Sequence, residues 1–181
     1  MLTLATQWVF MPWGFYLGGS AHPYPGWQGT ATLHGSAGDY VLTIWMYPTG
    51  RSRLSGNPTF TGNARLCTPR GEGFALKLYA AILEHAGRDT NGKPMRIDLH
   101  ARQPFWSING TTDRPRLTLQ GKWENPDLVM DDGGTLSVEF LPDGRLYEGP
   151  GRNRPHARET IRVVFHELPW TTMTWAGGGC R

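Results

Sequence analysis

At 181 residues, with 39% hydrophobic and 12% aromatic side chains, the chain can bury one core and is excluded from the intrinsically disordered class. Its 24 glycines, 14 prolines and mean hydropathy of −0.42 favour many turns and short strands over long helices. The net charge is +3, but fifteen of the eighteen basic side chains are arginine, which points either to GC-rich codon use or to anion recognition by guanidinium.

The N-terminal run MLTLATQWVFMPWGFYLGG is apolar and broken by Pro12 and Gly14. It lacks the basic flank of a secretory signal and the length of a membrane span, so a cytoplasmic location is expected. We read it as an N-terminal strand whose Trp8, Phe10 and Trp13 pack onto a sheet. The alternative is a membrane- or partner-docking segment. His22-Pro-Tyr-Pro-Gly26 follows as a rigid loop.

Strand signals then recur. Trp27–His34 and Tyr40–Tyr47 are joined by Gly35-Ser-Ala-Gly38-Asp39, a short hairpin connection. Pro48-Thr-Gly50 and an Arg-Ser-rich loop lead into a strand over Thr59–Cys67. Phe74–His85 is ambiguous: Phe74, Leu76, Leu78, Ala80 and Ile82 alternate as in a strand, while Leu76, Tyr79, Ala80 and Leu83 make a helical stripe. We take it as a strand. Asn91-Gly92 then turns the chain into Met95, Ile97 and Leu99, which alternate with charged residues. Phe105–Ile108 reads as a short strand.

From Arg116 to Gly149 the chain carries three strand-like runs. Leu117, Leu119, Gly121 and Trp123 share one face, and Leu136, Val138 and Phe140 another. Pro142-Asp143-Gly144 presets a tight turn into a returning strand over Arg145–Glu148. Thr160–Glu167 is the last strand. The whole predicts one all-β, mainly antiparallel domain over 1–181, a closed or partly open barrel of about eight to ten strands. If Phe74–His85 were helical, the class would become α+β.

Gly26-Trp27-Gln28-Gly29 is echoed by Gln120-Gly121-Lys122-Trp123, each setting a glycine beside a strand tryptophan, where it allows bending or close backbone approach. The Gly121-Lys122-Trp123 triplet and the strand rhythm resemble the calycins, the lipocalin, fatty-acid-binding and avidin-like barrels. The resemblance implies a barrel with a tryptophan closing one end.

Four tryptophans, Trp27, Trp45, Trp106 and Trp123, are the candidate lining of a pocket for a small apolar or amphiphilic molecule. Asp98 and His100 share one face of a predicted strand and are candidate acid–base residues if that face looks into the lumen, surface residues if it looks out. Glu84, Glu139, His85 and His166 are further partners of that kind. Arg145, Arg152, Arg154 and Arg158 form the densest basic cluster, a candidate site for an anion or an acidic partner or else a solvated loop paired with Glu148 and Glu159.

Nothing sets that cluster beside aromatic platforms, which argues against nucleic acid. Glu124, Asp127, Asp131 and Asp132 lack the spacing of a calcium loop and read as turn residues; no metal and no cofactor is expected. The two cysteines allow one disulfide, although a buried free thiol is the commoner state for a strand residue such as Cys67. Asn109-Gly-Thr111 is a glycosylation acceptor only in a secreted chain.

No nucleophile elbow or phosphate-cradling loop is present. The primary expectation is therefore a non-catalytic binding barrel. The alternatives are a barrel enzyme of isomerase, cyclase or hydratase type using Asp98 or His100, and an assembly subunit. The assembly subunit would dock, or self-associate, through its aromatic N-terminus and Arg-rich loop.

Overall fold

The computed structural model describes residues 2–35, 38–71, 73–85, 87–101, 116–124, 127–130, 136–137, 163–168 and 180. Among the described residues a helix α1 (Leu2–Phe10) and two 3₁₀ turns, Pro12–Phe15 and Leu17–Gly19, precede nine strands. These are β1 (Trp27–Gly35), β2 (Gly38–Arg51), β3 (Pro58–Cys67), β4 (Gly73–Ile82), β5 (Pro94–Ala101), β6 (Arg116–Glu124), β7 (Asp127–Met130), β8 (Leu136–Ser137) and β9 (Val163–Glu167).

Every pairing is antiparallel, and the chain is all-β. Consecutive strands pair from β1 through β6 to β7, and β9 bridges β7 and β1 to close an eight-stranded barrel. The register is continuous around it, with Leu78 opposite Leu99 and Ile97 opposite Leu119. β8 runs on beyond β7 along the same side of β6, with Leu136 opposite Leu117.

The two-residue period decides which side chains fill the barrel. In β2, Leu42, Ile44 and Met46 are buried while Thr43 and Trp45 between them are half-buried and the flanking Val41 and Tyr47 exposed. β4 obeys the same rule, with Leu76, Leu78, Ala80 and Ile82 inside and Tyr79 outside, so its strand periodicity prevails over the competing helical stripe. The calycin-like expectation of a closed antiparallel barrel is met at the level of architecture.

Three local expectations are corrected. The N-terminal run is a helix up to Phe10, not a strand, and of Trp8, Phe10 and Trp13 only Trp13 is buried. A closed barrel offers no edge on which an extra strand could pair, and Leu, Ala, Thr and Gln satisfy their backbone groups locally instead. The Met11 N–H donates to the Gln7 carbonyl, and Pro12, which has no N–H to continue the ladder, opens the next turn.

Pro48-Thr49-Gly50 does not end β2, which continues to Arg51 through a register shift between Pro48 and Gly50. Cys67 is not a free thiol but is bridged to Cys180, 113 residues away. Closing so long a loop constrains the unfolded chain and contributes about 2–5 kcal/mol. The expected strands over 105–108, 138–140 and 145–148, the turn at Pro142-Asp143-Gly144 and the acceptor Asn109 lie outside the described residues.

Candidate functional site

One end of the barrel is closed by the chain's own N-terminus. Because neighbouring strands alternate in direction, β1 starts, β2 ends, β5 starts and β6 ends at this end. The segment from Pro12 to Gly26 lies across it. The Gly26 N–H donates to the Gly14 carbonyl at 2.9 Å, and a side chain at Gly14 would collide with Pro48 of β2.

Thr90, wholly buried in the β4–β5 connection, pins the middle of this cap. Its hydroxyl donates to the Tyr16 carbonyl at 2.8 Å and accepts the Gly18 N–H at 2.9 Å. His22 holds the far side, with Nδ1 3.4 Å from Glu167 Oε1 on β9. Burial pushes the Glu167 carboxyl up from the usual glutamate range; His22 pulls it back and Asp127 adds to the rise. Asp127 itself pairs with His166 at 3.0 Å.

Directly above the cap sit the two tryptophans of the sequence echo. Trp27 and Trp123 are 0% and 1% exposed, and their rings meet edge to face with centroids 5.1 Å apart. The order of each motif follows from strand direction. β1 rises from the cap and reads Trp27-Gln28-Gly29, whereas β6 descends to it and reads Gly121-Lys122-Trp123, so each tryptophan lies nearest the cap with its glycine two residues farther in.

Both glycines are needed for close approach. A Cβ at Gly29 would run into the Trp27 ring, and one at Gly121 into the Val129 carbonyl of β7. Around the pair the register sets Met46 opposite Trp27 and Met95 opposite Gly121. Both methionines are buried, and their unbranched side chains repack more readily than Ile or Leu.

The indole nitrogens of Trp13, Trp27 and Trp123 are buried and make no hydrogen bond. A buried donor without an acceptor costs about 1–3 kcal/mol. The edge-to-face contact of Trp27 and Trp123 can give one of these two N–H groups a weak π acceptor, but not both. Trp13 lies under the Arg51 guanidinium, 4.3 Å from its ring centroid, an interaction of the ring face that leaves the N–H unserved. The Trp13 donor and at least one of the Trp27–Trp123 pair are therefore left without an acceptor at the capped end of the barrel.

The other candidate residues do not join them. Trp45 alternates with buried Ile44 and Met46 and stands on the outer face, half-buried beside the Tyr47 ring. Asp98 and His100 alternate with buried Ile97 and Leu99 and also face outward. Asp98 is held in a two-pronged pair by Arg96 at 2.9 and 3.0 Å, and the His100 ring lies 6.0 Å from that of Tyr79. The inward orientation that an acid–base role required of them is absent, because the strand's apolar face takes the lumen.

Glu84 pairs with Lys93, and Glu124 with Lys122. Among the described residues no cluster of three metal-ligating side chains occurs. Trp106, Arg145, Arg152, Arg154, Arg158, Asp131, Asp132 and Glu139 lie outside the described residues. Sequence reasoning missed Thr90 and the His22–Glu167 pair; no local pattern marks a contact between segments so far apart. Comparison of the chain with protein families, curated proteins and solved structures gives no match.

Proposed function

We propose that the chain is a non-catalytic, calycin-like binding barrel that holds a small amphiphilic molecule, apolar body in the barrel and acceptor group at the Trp27 and Trp123 indoles. The observation that carries this reading is the buried indole N–H groups of Trp27 and Trp123, at most one of which has even a weak π acceptor, on the floor of an otherwise apolar barrel. A ligand carbonyl, ester or carboxyl oxygen reaching them would remove that cost. Its chain would take the place of Met46 and Met95, the adaptable filler beside the tryptophans.

Enzymatic use of the barrel is the weaker reading. The carboxylate–imidazole pair with a buried ring among the described residues, half-buried Glu167 with His22, is engaged in joining β9 to the cap. The Cys67–Cys180 bridge favours an oxidising compartment over the cytoplasm expected from the sequence. Among the described residues no helix is long and apolar enough to cross a membrane.

Native mass spectrometry beside the denatured mass tests the reading, followed by thermal melts with palmitic acid, its methyl ester and hexadecane. The account expects an excess mass that is lost on denaturation, or stabilisation by the two oxygenated compounds above that by the alkane. Trp27→Phe and Trp123→Phe, which keep an aromatic ring but remove the N–H, should each weaken binding about two- to tenfold. A bare-chain mass with no stabilisation by any of the three compounds would overturn it.

A further inference from the structure

We propose that the capped end of the barrel is a membrane-surface docking face, with α1 lying in the interface of an anionic phospholipid bilayer. α1 carries no charge, and its polar residues Thr3, Thr6 and Gln7 fall within one arc that leaves most of its circumference apolar. Successive residues stand about 100° apart, so Trp8, Val9 and Phe10 together cover more than half of its circumference. All three are exposed, at 42%, 70% and 69%. A helix that docks into a protein groove needs one apolar stripe; exposed apolar side chains reaching well beyond a stripe suit a lipid interface. The barrel end beside it is already occupied by the cap, whose Trp13, Phe15 and Leu17 are buried.

Charge and aromatic placement name the lipid. No Asp, Glu, Lys or Arg occurs before Asp39, and no acidic residue lies between Asp39 and Glu72. Within that acid-free span, the β2–β3 connection reaches out at the same end as α1 and carries Arg51, Arg53 and, between Arg53 and Ser55, a fully exposed Leu54. Its shape is fixed: Ser52 Oγ accepts the N–H groups of Leu54 and Ser55 at 3.3 Å, and the Gly56 N–H donates to the Ser52 carbonyl at 2.8 Å.

Arg51, stacked on Trp13, ties this loop to the segment that follows α1. Trp8 packs on Phe15 and Tyr16, with centroids 4.8 and 5.7 Å apart, placing an aromatic cluster between helix and barrel. Apolar side chains in front, an aromatic belt behind and guanidinium groups at the flank match acyl chain, interface and phosphate in that order. The described acids of this end have partners: Glu84 and Glu124 pair with Lys93 and Lys122, Asp127 and Glu167 with His166 and His22, and Asp89 accepts the Asn91 N–H. At about 13 Å, α1 is under half the thickness of the hydrocarbon layer, so it lies on the bilayer rather than across it.

The test is co-sedimentation of the full chain with vesicles of phosphatidylcholine alone or mixed with phosphatidylglycerol. The mixed vesicles should bind the chain. Val9→Asp/Phe10→Asp should weaken that binding about a hundredfold at an unchanged melting temperature, because both side chains are exposed. Arg53→Gln should weaken it about fivefold, and only with the anionic lipid. Absence of binding, or binding unaffected by the Val9/Phe10 change, overturns the proposal. Equal binding to both vesicle types overturns the assignment of anionic lipid. If, without vesicle binding, the chain dimerises and the Val9/Phe10 change abolishes the dimer, the occupant is a second copy and the proposal fails.

Discussion

Helix α1 and the stretch Tyr40–Tyr47 of β2 are alike in composition: each is uncharged and aromatic, and each carries bulky aliphatic side chains. Their environments are opposite. In β2 the period of two sends Leu42, Ile44 and Met46 into the barrel and leaves Thr43 and Trp45 outside, so half of the residues meet a core and the strand is anchored on both edges. In α1 the period of 3.6 spreads Trp8, Val9 and Phe10 over more than half of the cylinder; Trp8 packs on Phe15 and Tyr16, while Val9 and Phe10 stay exposed. Hydrophobicity alone therefore does not say where a segment goes. The match between its period and an available partner does.

The largest expected effect sets these two environments side by side. Trp123→Ala should destabilise the barrel by about 3–5 kcal/mol in urea unfolding, because it leaves a cavity on a floor where the Trp27 ring has lost its contact. Phe10→Ala should change stability by no more than about 0.5 kcal/mol. A comparable loss in both would mean that α1 packs against the barrel in solution.

Thr90→Val sharpens the comparison at the seam between cap and barrel. It keeps the volume but strips the partner from the Gly18 N–H and the Tyr16 carbonyl, and should cost about 1–3 kcal/mol. Amide exchange should then accelerate over residues 14–19 while β2 to β4 stay protected.

The smallest effect concerns pH. The folded chain holds the Glu167 proton more tightly than the unfolded chain does, because burial and Asp127 outweigh His22. Its contribution to stability is therefore complete below the unfolded value, about pH 4, and is lost as pH rises through the higher folded value. Relative to wild type, Glu167→Gln should gain stability between acid and neutral pH. A urea midpoint difference that stays constant over that range would show that Glu167 is not perturbed.

Much of the barrel was legible because strands declare themselves locally. Leu76, Leu78, Ala80 and Ile82 needed only the period of two to be assigned inward, and the turn glycine Gly92, at φ +69°, marks the β4–β5 hairpin. Trp27 and Trp123 were legible as a pair because each has a glycine two residues away that a close approach requires. Trp45 was misplaced for want of register: aromatic surplus flags a tryptophan, but only alternation with Ile44 and Met46 says which way it points. The same alternation turns Asp98 and His100 outward. The Cys67–Cys180 bridge, the Thr90 pin and the His22–Glu167 clasp join remote segments, and no spacing in the sequence encodes them.

The central claim is that the Trp27 and Trp123 indoles wait for an acceptor. It is tested most directly on the indole N–H resonances of the eight tryptophans, with those two assigned through their phenylalanine variants. On addition of palmitic acid methyl ester, the account predicts that the Trp27 and Trp123 signals move downfield and become the most protected from exchange, while that of Trp45 on the outer face stays in place. Unchanged Trp27 and Trp123 signals at saturating ester, or shifts confined to the outer-face tryptophan, would contradict it.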